Sequence, residues 1–152
     1  MNFTSKKFYA FIATFIIALD QIIKYQIMNY LPHYKVDQFL SIDLVFNRGI
    51  SWGLLHSESA TVFAFVNSAI LFVIGSLFVH AIIRMRKQHS IVGEVMVFAG
   101  AISNYIDRYC FQGVVDFISL SYQDYYFPVF NVADMFIVSG VALMLFLEWR
   151  RS

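Results

Sequence analysis

The sequence predicts an all-α polytopic membrane protein with four transmembrane helices and both termini on the cytoplasmic side. Three observations predict it. The 152 residues are 59% hydrophobic and 14% charged, with a mean hydropathy of +0.65, against about 45–50% and about 25% in soluble domains. Four apolar runs, near 8–25, 61–83, 91–108 and 129–149, approach the length of about 20 residues that spans a bilayer. Lys6, Lys7, Arg84, Arg86, Lys87, Arg150 and Arg151 all fall on one side if the chain crosses four times, leaving Lys24, Lys35, Arg48 and Arg108 on the other. Basic residues accumulate on the cytoplasmic side, so the termini and the 84–90 turn are assigned there.

The first run follows Lys6 and Lys7 as a signal peptide would. No small-x-small cleavage site comes after it, and Asp20 and Lys24 continue its helical phase, so a retained span is expected. Between the first and second runs lies an outer segment, 26–60. Within it Leu40, Ile42, Leu44 and Phe46 alternate with Ser41, Asp43 and Val45, a period of two that predicts a strand. Gly49 and Gly53 around Trp52 predict a turn with an interfacial aromatic. The second outer segment, 109–128, is rich in Tyr and Phe and reads as an interfacial loop. No repeat or linker divides the chain, so residues 1–152 are read as one integral-membrane domain.

Depth brings the polar residues together. At about 1.5 Å of rise per residue, Asp20 lies about 20 Å from the cytoplasmic edge, Asn104 about 20 Å and Asp107 about 24 Å. The fourth run descends, which puts Asn131 and Asp134 about 3–8 Å below its outer end. Asp116 follows the third run at the same level. Asn104, Asp107 and Arg108 share a helical face, as do Asp20 with Lys24 and Asn131 with Asp134. Ionisable groups at membrane depth face a bundle interior or a wet cavity and mark function. The plainer readings are a neutralising pair for Asp20–Lys24, a structural pair for Asp107–Arg108, helix-tying hydrogen bonds for the asparagines and a solvated loop carboxylate for Asp116. Asp134 resists such a reading, having no local cation. Glu94 is expected to complement the start of its helix.

Other chemistries are disfavoured. The single cysteine, Cys110, excludes an internal disulfide and a multi-cysteine metal site and reads as a small apolar filler. His33, His56, His80 and His89 have no zinc-motif spacing. Gly-x-Ser-x-Gly and Ser-x-x-Lys are absent. The basic residues are scattered to the ends of apolar runs, which gives no case for nucleic acid. Asp116 and Asp134 are the aspartates of the polar layer without a basic neighbour within a turn. If they meet, they can share a proton, one activating water while the other polarises a carbonyl. That is aspartic peptide hydrolysis without metal or cofactor. A proton- or cation-coupled carrier and a non-catalytic assembly factor are the alternatives; against a carrier, the polar groups cluster in the outer leaflet.

Asp20-Gln-x-x-Lys24, FNRGISWG (46–53), SNYIDR (103–108), VVDF (114–117) and FNVAD (130–134) resemble, in order and spacing, the motifs of lipoprotein signal peptidases, the type II signal peptidases of bacterial plasma membranes. The resemblance implies four transmembrane helices, a small extracytoplasmic β-sheet cradle and a lid. It implies cleavage of prolipoproteins before a diacylglyceryl-modified cysteine by Asp116 and Asp134, at the extracytoplasmic face of the membrane. Asn47, Gly49, Asn104, Asp107, Arg108 and Asn131 match positions that shape the site or hold substrate, and Asp20 and Lys24 match a structural motif. Lipid is an implied partner, no cofactor or metal is implied, and a monomer is expected. Ile50, Trp52, Ala101 and Ser103 depart from the family pattern. Ala101 and Ser103 are mild changes among small residues, whereas the bulk of Trp52 is expected to bear on substrate fit, with the outer segment covering the cavity.

Overall fold

A computed structural model describes residues 3–49 and 59–150. Four helices carry the chain: α1 (Phe3–Tyr30), α2 (Ala60–Arg86), α3 (Val92–Phe111) and α4 (Val132–Trp149). Strands β1 (His33–Lys35) and β2 (Leu40–Asn47) lie between α1 and α2, and β3 (Val114–Tyr122) and β4 (Tyr125–Tyr126) between α3 and α4. Ile50, Trp52, Gly53 and His56, with the lid expected around them, lie outside the described residues.

The ends of the helices have local causes. Helix α1 stops two residues before Pro32, whose ring disfavours helical backbone at the residue ahead of it. Helix α3 ends at Gln112, in the left-handed region at φ 58, and Gly113 then passes close to the Asn47 carbonyl, 3.4 Å from where a Cβ would sit. Helix α4 opens with a capping box: the Asn131 side chain accepts from the Asp134 amide, and the Asp134 side chain accepts from the Asn131 amide.

Helix α3 is the hub, packing against α1, α2 and α4. Its contact with α4 is close because glycines face one another. A Cβ on Gly93 would lie 2.8 Å from the Gly140 carbonyl oxygen, and one on Gly100 2.6 Å from that of Ala133. Small residues of this kind let helix backbones approach in a membrane. Helices α1, α2 and α4 are long and apolar enough to cross a membrane, and the chain is a multi-pass membrane protein. The acidic and basic residues of α3, Glu94, Asp107 and Arg108, are all buried.

The strands form one antiparallel sheet in the order β1-β2-β3-β4. Asn47 pairs with Val114, Phe46 with Val115 and Val45 with Asp116, with a register shift between Ile42 and Val45. The strand expected from the alternation at 40–46 is β2. The segment 109–128, expected as a loop, instead contributes the end of α3 and strands β3 and β4. It escaped the period-of-two test because Val114, Val115, Asp116 and Phe117 are buried on both faces.

Candidate active site

Strand β3 packs against α1 and α3 and brings Asp116 onto the start of α4. Asp116 is 3% exposed and Asn131 fully buried. Asn131 Nδ2 donates to Asp116 Oδ1 at 2.7 Å, and Asn47 Nδ2 donates to Asp116 Oδ2 at 3.0 Å. Asp134 receives the Asn104 Nδ2 at 2.8 Å on Oδ1 and the Asn131 amide at 3.2 Å on Oδ2. Asn131 Nδ2 also reaches Asn104 Oδ1 at 3.0 Å. All four oxygens of the two carboxylates thus accept hydrogen bonds, and two asparagines bridge one aspartate to the other. Among the described residues, no ion pair joins either aspartate to a lysine or arginine.

Both carboxylates line one cavity of about 610 Å³. Asn47, Asn104 and Arg108 line it too, together with apolar Ile70 of α2, Met135 and Val138 of α4 and Phe127 ahead of it. Burial, and next the charge of Asp134, push the Asp116 carboxyl up from its ordinary 3.8 to about 7. A carboxyl in that range can hold or release a proton near neutrality, as acid–base chemistry requires.

Beneath this layer lies a second, fully buried one. Lys24 Nζ pairs with Asp20 Oδ2 at 2.7 Å and with Asp107 Oδ2 at 2.6 Å. The Asp107–Arg108 pair entertained from helical spacing is therefore not the one formed: Asp107 turns inward to Lys24 and also accepts the Val115 amide at 3.1 Å. Arg108 points the other way. Its Nη2 donates to the Gly49 carbonyl and its Nη1 to the Arg48 carbonyl at 3.4 Å. The guanidinium also lies 6.0 Å from the Phe63 ring centroid. Gly49 in turn donates its amide to Asn47 Oδ1 at 2.9 Å. Arg108 and Gly49 together hold the end of β2 so that Asn47 faces Asp116.

Two further members of the network stand in the quoted motifs but were given no role in the site. Gln21 Nε2 donates to Asp107 Oδ1 at 2.8 Å, and Ser103 Oγ to Asp20 Oδ2 at 2.7 Å. The signal for Ser103 was a hydroxyl directly before Asn104 and four residues before Asp107, where a change among small residues adds a donor. Glu94, assigned to the helix start, does lie in the first turn of α3. It is also 1% exposed and paired with Arg84 Nε at 2.7 Å, far from the carboxylate pair. Cys110 is exposed rather than a core filler. No cluster of His, Cys, Asp and Glu able to hold a metal ion occurs among the described residues.

Comparison with known proteins matches the chain to one family. The signal peptidase (SPase) II family, Peptidase_A8, matches residues 12–150. The lipoprotein signal peptidase of Rickettsia typhi is 36% identical over 153 residues, covering 95% of this chain and 76% of that protein. That of Syntrophotalea carbinolica is 33% identical over 147 residues, covering 91% and 89%. A solved bacterial membrane enzyme superposes with a TM-score of 0.75 at 27% identity, covering 95% of this chain and 88% of its own. A second gives 0.73 at 27% identity, with 96% and 95% covered.

Proposed function

The chain belongs to the signal peptidase II family, and from that premise we propose that it is an aspartic endopeptidase whose dyad is Asp116 and Asp134. Family membership makes it a membrane protease of lipoprotein processing that removes signal peptides from prolipoproteins. The reaction chemistry is the further step, and one observation carries it: two carboxylates without an ion-pair partner among the described residues line the same cavity, bridged by Asn104 and Asn131.

One proton is shared by the pair. The ionised carboxylate takes a proton from a water molecule held between the two, and that water attacks the scissile carbonyl carbon. The protonated carboxyl donates to the carbonyl oxygen as charge develops there. The carboxyl that took the water's proton passes it to the departing amine as the C–N bond breaks, while the other carboxylate takes a proton back from the gem-diol hydroxyl, which leaves the new carboxyl group and restores the dyad. Asn47, Asn104 and Asn131 hold the carboxylate planes in place for these transfers. Peptide hydrolysis by this route needs no metal and no covalent intermediate.

Substrate fits the same cavity in two halves. The peptide bond before the lipid-modified cysteine lies against the dyad, and acyl chains and the signal-peptide helix run along apolar Ile70, Met135 and Val138 into lipid. The site faces the extracytoplasmic side, a reading supported by the excess of basic residues assigned to the other side, and the described residues that form it come from one chain.

The test is cleavage of a purified diacylglyceryl prolipoprotein, with chelator present, by the wild type, Asp116→Asn and Asp134→Asn. Each variant should fold and lose about 10²–10⁴-fold in rate, while the wild type is indifferent to the chelator. Wild-type rates in both variants, or loss of wild-type activity on chelation, would sink the assignment.

A further inference from the structure

We infer that Lys24 is a positioning residue of the cleavage reaction, acting on Asp134 through the Asn104 amide; this rests on the dyad reading above. The geometry leaves the amide one orientation. Lys24 Nζ lies 2.8 Å from one end of the Asn104 side chain. An ammonium donates and never accepts, so that end is the oxygen. The NH₂ of Asn104 is thereby turned toward Asp134, whose Oδ1 it meets at 2.8 Å. Asn131 Nδ2 donates to the same Asn104 oxygen at 3.0 Å and to Asp116 Oδ1 at 2.7 Å. One cation thus sets the direction of an amide that serves one carboxylate directly and is tied to the other through Asn131.

Neutralising its neighbours does not account for all that Lys24 does. Asp20 and Asp107 already have other donors: Ser103 Oγ at 2.7 Å and the Ala133 amide at 2.8 Å for Asp20, Gln21 Nε2 at 2.8 Å and the Val115 amide at 3.1 Å for Asp107. The third donor direction of the ammonium goes to Asn104, away from both carboxylates. Lys24 is 1% exposed, and without the ammonium Asn104 loses its charged anchor.

The two roles separate experimentally. Lys24→Met alone leaves two buried carboxylates uncompensated, so it is paired with Asp20→Asn, which restores the local charge. Asparagine at position 20 can still accept from Ala133 and donate to the Ser103 hydroxyl. The double variant should keep wild-type thermal stability in detergent and a KM close to wild type, yet lose about 10²-fold in kcat, the penalty of a misplaced catalytic group. Wild-type kcat in this double variant would show that Lys24 only balances charge, and so would a loss confined to KM. Should the double variant not fold, Lys24→Met with Asp107→Asn gives a second route: it restores the local charge from the other side and again takes the ammonium away from Asn104. A similar loss in kcat is expected, and wild-type turnover would overturn the relay. Asp116→Asn and Asp134→Asn, assayed alongside, separate the two ideas. If they cleave normally the dyad reading fails; if they are inactive while the Lys24 variants turn over normally, only the relay fails.

Discussion

At the scale of single residues, Asp116 combines deep burial with two amide donors, and its protonation links the site to stability. Its folded-state value of about 7 lies above the ordinary 3.8. The native state therefore holds this proton more tightly than the unfolded chain does. Stability from this group is complete below 3.8 and is lost as pH rises toward 7, on the order of 4 kcal/mol across the window. The thermal midpoint of Asp116→Asn in detergent should accordingly fall less steeply than that of the wild type between about pH 4 and pH 7. Parallel curves would mean that Asp116 ionises in the folded state as it does in water. The two aspartates were legible in the sequence because neither has a cation within a helical turn. Their asparagine bridge was half legible: spacing placed Asn104 and Asn131 at one level, but which amide meets which carboxylate depends on how α3 and α4 face each other. The same limit explains Asp107. Its helical neighbour Arg108 is close in sequence, yet Lys24, from another helix, is the ion it meets.

At the scale of elements, the α3–α4 contact fixes how Asn104 meets the Asp134 carboxylate, since Asn104 stands on α3 and Asp134 on α4. Gly93 and Gly140 set its inner half, and a Cβ on Gly140 would fall 2.7 Å from the Gly93 carbonyl oxygen. Backbone cannot yield there as a flexible side chain can. Gly140→Val should destabilise the bundle by about 1–3 kcal/mol through overpacking, read as a lower thermal midpoint. Gly75 of α2 has nothing within 4 Å of its would-be Cβ, so Gly75→Ala should be neutral or gain up to about 1 kcal/mol of helix propensity. Equal midpoints for the two variants would remove the close approach as the cause. Helices α1, α2 and α4 stood out in the sequence by apolar length alone, and α3 as an apolar run that carries charges. Strand β3 did not, because a strand covered on both faces has no alternation to read and its pairing partner is remote in sequence, Val45 against Asp116.

At the scale of the whole molecule, α3 decides the topology. It carries Glu94, Asp107 and Arg108, so composition alone separates it from the three helices that are plainly apolar enough to span. Those charges do not meet lipid, however: Glu94 is paired with Arg84, Asp107 with Lys24, and Arg108 with backbone carbonyls. The outward faces of the neighbouring helices are apolar, with Phe72 77% and Val138 69% exposed. A helix of 20 residues rises about 30 Å, the thickness of the hydrocarbon layer. With its charges covered by α1, α2 and the β2 end, α3 is proposed to cross as well, and the turn after α2 and the two carboxylates are then expected on opposite sides. Cys110 tests this without a foreign label, since it is exposed at the outer end of α3 and is the only cysteine. In intact spheroplasts a membrane-impermeant maleimide should modify Cys110 directly. In Cys110→Ser carrying Ser90→Cys, in the exposed turn before α3, labelling should wait until the cells are broken. Labelling of both positions from one side would show that α3 does not cross, and the reverse order would turn the molecule over in the membrane. Such an inversion would also carry the dyad to the cytoplasmic face, where a protease acting on exported precursors would meet the wrong end of their signal peptides.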